Sequence, residues 1–459
     1  MLEFDWQELR KWSGGEWIKL PFDEPVRGFS FDSRSLKAGE MFVALKTPKR
    51  DGHSFIEVAK AKGASAALVS ACCSDIDLPQ LLVDDTLVGL GDLARGYRDE
   101  SSATVVGVTG SCGKTTFKDL LYYALGGKPN AWRTQGNLNN RIGVPITLLG
   151  MPIRNGGYGI IEAGISEPGE MECLAKIIDP DIAVVTSIGP AHLEGLGSLR
   201  GIAVEKGRLA VGGKAGKVYL GESCQPYLEE LSGGLDYAIV AEGLQGEGVK
   251  GFRQRIVGGM TRISLEGFDD VFEIGGIGKG LASNVAMAIT LALDLGVDSQ
   301  TLKERLKLWR PSKLRGEWKT MGKARVYLDC YNANPLSMLD GLETFNRLSS
   351  QTPDRIFVLG SMEELGDSSD EWHERVGSSM ELRNGDLVLL IGDGAQAIKR
   401  GLGIQEDGER VELIESVDQI GRFLSGFSGD IFLKGSRRYG LESAIRFLEQ
   451  PVERVQASC

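Results

Sequence analysis

Residues 105 to 116 read VVGVTGSCGKTT, an apolar strand entering a glycine-containing loop that opens into a helix. Phe117, Leu120, Leu121, Ala124 and Leu125 share one face of that helix. Such a loop can wrap phosphates with backbone N–H groups, and the helix N-terminus adds its partial positive charge. Gly110, Ser111, Cys112, Gly113, Lys114, Thr115 and Thr116 are therefore the candidate nucleotide-binding residues. Lys114 can reach the terminal phosphates, and the Thr115 hydroxyl can ligate Mg²⁺. The usual pattern has a glycine five residues before Gly113, where this chain has Val108, so the motif is the variant TGxxGKT. Glu162, in IIEAG, and His192, in VVTSIGPAH, each follow an apolar strand. In an open parallel sheet those strand ends line the ligand crevice, where a carboxylate and an imidazole can complete a magnesium site or orient a phosphate. Either alone could equally be a structural polar residue.

Lys206 has Ile202, Ala203, Leu209 and Ala210 at i−4, i−3, i+3 and i+4, which places it on the apolar stripe of a helix. Two fates are open to it. Snorkelling to solvent is the commoner one for a lysine on such a stripe. Burial would instead lower its pKa, and the uncharged amine could attack a carbonyl group or CO₂, the latter giving a carbamate suited to Mg²⁺.

The elements that must position these groups fall into three segments, 1–100, 101–310 and 311–459. The first reads as short strands (41–45, 66–70, 81–83) and one helix, 54–62, with Ser54 at its N-cap and Glu57 three residues on. The second alternates strands near 104–108, 160 and 182–188 with helical patterns, the signature of a parallel sheet. Its stretch 243–280 alternates like an excursion from that sheet, and helices at 282–295 and up to Trp309 follow. Beyond Arg310-Pro311, a natural hinge, strands at 325–328, 356–359, 387–391 and 431–433 restart the pattern as a Rossmann-like unit. It has no GxGxxG, so no dinucleotide is indicated. The fold class is α/β in three domains: a small N-terminal one, a central phosphate-loop parallel-sheet domain and a C-terminal Rossmann-like one.

Composition sets bounds on partners. Glycine, 62 of 459 residues, is nearly double its usual share and suits many tight strand-to-helix turns. With 52 basic and 63 acidic residues the net charge is −11, which argues against nucleic acid and anionic membranes as partners. Apolar runs such as 387–391 are far short of a membrane span, and MLEFDWQELRK lacks the pattern of a secretory leader. Seven cysteines without a CxxC spacing suit reduced thiols. A cytoplasmic protein is expected.

Taken together, the motifs resemble the Mur ligase family over nearly the whole chain. They are DSRSLKAGEMFVAL and DGHSF in the first segment, and TGSCGKTT, GNLNNRIGVP, EAGISEPGEM and AHLEGLGS in the second. YNANPLSM, LGSMEELG and KGSR follow in the third. The resemblance implies an ATP-dependent amide ligase of peptidoglycan precursor synthesis, cytoplasmic and monomeric, that uses ATP and Mg²⁺. GNLNNRIGVP, YNANP and ELG point to the branch joining D-alanyl-D-alanine to UDP-N-acetylmuramoyl-tripeptide. The absence of DNPR separates it from the sibling that adds a diamino acid to the dipeptide precursor; a phosphate-loop kinase or NTPase is the reading from another class.

The resemblance also implies roles for single residues. Lys114 and Thr115 would hold phosphates and magnesium, Glu162 and His192 would serve the metal sites, and Lys206 would be a carbamylated ligand, reversing the snorkelling reading. Asn284 would contact adenine, and Arg315 and Asp329 would close over the nucleotide from the third domain. Ser33 and Arg34 would face the uridine nucleotide, with Asn137, Asn139 and Asn334 toward substrate. Apart from the resemblance, Lys434 or Arg437 of KGSR could capture the dipeptide's carboxylate, or the two could equally be a solvated surface pair. Ser283, Met287, Cys330 and Ser361 depart from the family pattern, the first two where adenine would sit.

Overall fold

The computed structural model describes residues 2–19, 24–152, 156–403 and 410–449. They form three principal sheets, of five, nine and six strands. In the first, the order is Glu16–Ile18, Gln80–Leu82, Ala66–Val69, Met41–Val43 and Phe29–Ser30, parallel except at the Glu16–Ile18 edge.

The first segment holds more helix than its sequence suggested, and the expected helix starts differently. Asp51, not Ser54, does the capping: it accepts from His53 N at 2.9 Å and heads a tight turn, Gly52–Phe55, before the helix Ile56–Ala61. The Ser54 hydroxyl instead donates to Asp51 O. A second helix, Trp6–Ser13, starts on a capping box of Asp5 and Glu8. A third, Thr86–Asp99, is capped by Asp85, which accepts from Leu87 N and Val88 N. Its glycines disguise it, because glycine disfavours helix interiors. One of them is required by packing: a Cβ on Gly96 would stand 2.2 Å from the Trp12 ring.

That third helix ties the first segment to the second. Leu90, Leu93, Ala94 and Tyr97 share a continuous core with Leu148, Leu174 and Ile178. Tyr97 Oη donates to Met151 O, and the buried Arg98 donates to Ile178 O, Asp179 O and Asp181.

In the nine-stranded sheet, Thr104–Thr109 lies between Ile182–Val185 and Tyr158–Glu162, all parallel. Parallel strands buried on both faces need near-continuous apolar runs, and VVGV and IAVV supply them. The 243–280 stretch extends this sheet rather than leaving it. Val249–Val257 pairs parallel with Asp236–Glu242, then Met260–Leu265 and Val271–Gly275 add antiparallel to the edge. Behind them runs the helix Lys279–Asp294, packed on the phosphate-loop helix Lys114–Ala124.

The third sheet runs Glu317–Met321, Ala324–Leu328, Asp430–Lys434, Arg355–Gly360, Leu387–Ile391 and Val411–Ile414. Its first strand is an antiparallel edge, which the alternation of apolar runs did not reveal. Among the described residues no helix is long and apolar enough to cross a membrane.

Candidate active site

The phosphate loop lies where the central strand Thr104–Thr109 meets the helix Lys114–Ala124. Two of its glycines are demanded by contact. Gly110 has φ +146, and a Cβ there would stand 2.1 Å from Thr186 Oγ1; Gly113 has φ +86 and would strike Asn284. The loop is stitched to the neighbouring strand end: Ser111 N donates to Ser187 O and Cys112 N to Ser187 Oγ. Those two N–H groups are already engaged, so the first turn of the helix is the part that faces an anion.

Around that turn the charges are buried and interlocked. Lys114 Nζ folds back on Gly110 O at 2.6 Å. Burial lowers its pKa, with Glu162 opposing the shift. Glu162, only 2% exposed, accepts from Thr115 Oγ1 at 3.1 Å and Asn139 Nδ2 at 2.9 Å. Burial pushes its carboxyl up, yet Lys118, Lys114, Asn139 and Arg315 together hold it below the usual range. Lys118 was not foreseen. It sits one helical turn after Lys114, buried, with Nζ 3.4 Å from Glu162 and 3.7 Å from Asp119. The i+4 spacing from Lys114 was its available signal.

Lys206 does not snorkel. It is fully buried on the helix Leu199–Val211, and its Nζ has no hydrogen-bond partner among the described residues. Burial, reinforced by repulsion from Lys114, pushes its pKa well down. His192 heads the short helix Leu193–Leu196 at φ +59, and its Nδ1 is paired with Glu364 of the third domain. That pairing holds the Glu364 carboxyl below its ordinary range.

The third domain closes the far wall. Asn334 caps the helix Pro335–Leu348 and donates through Nδ2 to Ser111 O at 2.9 Å. Arg315 lies 4.2 Å over the Tyr331 ring, and Ser312 Oγ donates to Asp119 at 2.5 Å. Lys434 is paired with Asp329 at 2.5 Å and buried, and Arg437 is paired with Glu442. Both basic side chains of KGSR thus have a neighbouring carboxylate, and Lys434 also lines the adjoining cleft.

These walls enclose a cleft of about 660 Å³. Ser111 to Thr116, Asn139, Glu162, His192, Asn284, Arg315, Asp329 and Asn334 all line it. Lys206, Gly110, Asn137, Ser33 and Arg34 do not. Lys206 lies behind the wall, Asn137 is exposed, and Ser33 is buried in the first domain. Arg34 forks onto Asp32 at 2.7 and 2.9 Å and draws its carboxyl down to about 2. Among the described residues no three His, Cys, Asp or Glu side chains gather as a metal cluster. The donors present suit a hard cation: the Thr115 hydroxyl and the Glu162 carboxylate.

Three family descriptions match the chain in order. They are the Mur ligase family catalytic domain over residues 25–98, the Mur ligase middle domain over 108–292, and the Mur ligase glutamate ligase domain over 314–436. The UDP-N-acetylmuramoyl-tripeptide–D-alanyl-D-alanine ligase of Bacillus subtilis is 31% identical over 454 residues, 93% of this chain and 94% of that protein. The chain belongs to the Mur ligase family. Among solved Mur ligases, a MurF from Acinetobacter baumannii superposes with a TM-score of 0.87 at 25% identity, covering 98% of this chain and 100% of that one. MurF from Thermotoga maritima, solved in complex with ADP, gives 0.77 at 28% identity over 92% and 97%. As a Mur ligase the chain is an ATP-dependent enzyme forming amide bonds, on the three-domain α/β fold of that family.

Proposed function

We propose that this Mur ligase joins D-alanyl-D-alanine to UDP-N-acetylmuramoyl-tripeptide in peptidoglycan precursor synthesis. ATP is cleaved to ADP and phosphate by way of an acyl phosphate. The observation that carries the proposal is the shared cleft, where the phosphate-loop helix faces third-domain residues across one cavity. The relatives named for this reaction match that whole arrangement rather than one domain of it.

A carboxylate does not acylate an amine, because its oxide is a poor leaving group. Transfer of the γ-phosphoryl group to the peptide carboxylate makes phosphate the leaving group; the amine then attacks the acyl carbon and loses a proton. The protein's part is alignment and charge neutralisation. Lys114 and the first turn of its helix hold the terminal phosphates, Asn284 lies toward the base, and Arg315 and Asp329 cover the nucleotide from the third domain. Thr115, Glu162, His192 and a carbamylated Lys206 would hold magnesium, whose charge offsets that of the phosphates. The buried, unpartnered amine of Lys206 is what a lysine needs to add CO₂: the N–C bond forms and a proton leaves to solvent. Ser33, Arg34, Asn137 and Asn139 serve the uridine-linked peptide. The three units 1–100, 101–310 and 311–459 take the uridine nucleotide, ATP and the amine, and the site works as a monomer in the cytoplasm.

The test is a two-by-two assay following phosphate release. Dipeptide or tripeptide acceptor is crossed with a diamino acid or D-alanyl-D-alanine. Tripeptide with D-alanyl-D-alanine should be fastest, with ADP as the nucleotide product. Faster turnover of the dipeptide with the diamino acid would transfer the chain to the sibling activity, and AMP with pyrophosphate would exclude the acyl phosphate.

A further inference from the structure

The helix Lys279–Asp294 is placed so that Asn284 packs against the phosphate loop; a Cβ on Gly113 would stand 2.7 Å from its Nδ2. A helix leaves its first N–H groups without partners inside the helix, and a side chain at the N-cap usually accepts from them. Here the N-cap is Gly278, at φ +136, which has no side chain to offer. The acceptor comes from another domain. Asp340, on the third-domain helix Pro335–Leu348, accepts through Oδ1 from Lys279 N at 3.0 Å and Gly280 N at 3.2 Å.

The fit at this junction is close. A Cβ on Gly280 would stand 3.0 Å from Asp340 Oδ2, and one on Gly278 3.0 Å from Thr344 Oγ1. Lys279 Nζ lies 3.1 Å from Glu343, one helical turn along from Asp340. Asn334, at the start of the Asp340 helix, holds Ser111 O of the phosphate loop. The third-domain helix thus touches the nucleotide side twice, once at the loop and once at the start of the helix that braces the loop.

We infer that Asp340 is a positioning residue for the ligation reaction: it caps the helix Lys279–Asp294 across the domain boundary, so closure of the third domain sets the helix that carries Asn284. A carboxylate on two helix N–H groups is a charge-assisted contact favoured by the helix dipole. When the third domain swings away those N–H groups return to water, and the brace on the phosphate loop loosens. The inference rests on the ligase reading in that closure is part of the cycle.

Hydrogen exchange of the full chain with ADP and magnesium bound reads the cap directly, independently of turnover. In Asp340→Ala the segment 278–284 should lose protection and ADP affinity should fall about tenfold, the size expected for a charged cap. The affinity for the uridine-linked substrate should stay unchanged. Asp340→Asn, which keeps an oxygen acceptor, should lie between. Lys279→Pro removes one donor N–H at a helix position that proline tolerates. Its loss of ADP affinity should not add to that of Asp340→Ala, because both break one contact. Unchanged exchange in Asp340→Ala, or fully additive losses, would overturn the inference. So would a fall in melting temperature with ADP affinity intact. A wild-type chain that releases no phosphate with any acceptor would instead sink the ligase reading, and the exchange result would still decide the cap.

Discussion

Lys206 shows how one buried atom separates function from stability. An amine with no hydrogen-bond partner among the described residues at full burial costs stability, because burial strips the hydration that would stabilise its charge. Lys206→Met keeps the volume and removes the polar atom. It should leave the melting temperature equal or higher while lowering ligation by about 100-fold or more, the scale of losing a group that fixes transition-state charge. A drop in melting temperature would mean the amine had a stabilising partner; near-normal turnover would remove it from the metal site. His373 makes the opposite case, a buried group whose partners are complete. Its Nε2 accepts from Met362 N and its Nδ1 donates to Ser369 O, so the neutral ring is the form the fold holds. Burial lowers its pKa from the ordinary 6.5. The unfolded chain therefore takes up a proton first as pH falls, and the stability that His373 contributes is present above 6.5 and lost toward its lower folded value. Thermal melts from pH 7.5 to 5 should fall more steeply for the wild type than for His373→Gln. Parallel slopes would refute this.

Helix contacts in the third domain depend on absent side chains. The helices Ser369–Ser378 and Ala395–Leu402 approach through Gly377 and Gly401. A Cβ on Gly377 would stand 2.1 Å from Ile398 O, and one on Gly401 2.0 Å from Glu374 O. Both obstacles are backbone, so neither helix can give way without the other moving. Gly401→Ala should cost about 1–3 kcal/mol, the range for overpacking a tight interface. In urea the midpoint should drop with an unchanged slope; a midpoint within error of wild type would show that the helices slide freely. The same logic explains the helix Thr86–Asp99. Its glycines lower the helical signal in the sequence and allow the Trp12 ring to approach in the fold, so the feature that hid the helix is the one that seats it.

Across the whole molecule, further polar contacts join the central and third domains besides the Asp340 cap. Ser312 reaches Asp119, Asn334 reaches Ser111 O, and Glu364 pairs with His192. Asp119 in turn neighbours Lys118, which faces Glu162, so a buried chain of charges runs from the hinge to the candidate magnesium site. Removing both hydroxyl and amide, as in Ser312→Ala with Asn334→Ala, should favour open forms. Two lost hydrogen bonds at about 0.5–1.5 kcal/mol each predict roughly a 10-fold rise in KM for ATP. X-ray scattering should show a larger radius of gyration, while binding of the uridine-linked substrate stays the same. An unchanged radius with unchanged KM would place the closing force elsewhere.

Local chemistry was legible in the order of residues. The strand, TGSCGKTT and the helix that follows lie within one short segment, so the phosphate loop could be read without knowing the fold. The apolar stripe around Lys206 could be read too, since 3.6-residue periodicity is a property of sequence. Whether that lysine escaped to solvent was not, because escape depends on what packs over the helix. Lys118, Asp119, Ser312 and Asp340 escaped notice, and Glu364 of the ELG motif was given no partner, for the same reason: their partners lie 44, 193, 193, 60 and 172 positions away for the contacts with Glu162, Ser312, Asp119, Gly280 and His192. The engagement of Lys434 by Asp329, 105 positions apart, belongs with them. Short-range patterns report which groups an element presents; only the packing of domains decides which groups meet, because desolvation and charge pairing are set by neighbours distant along the chain.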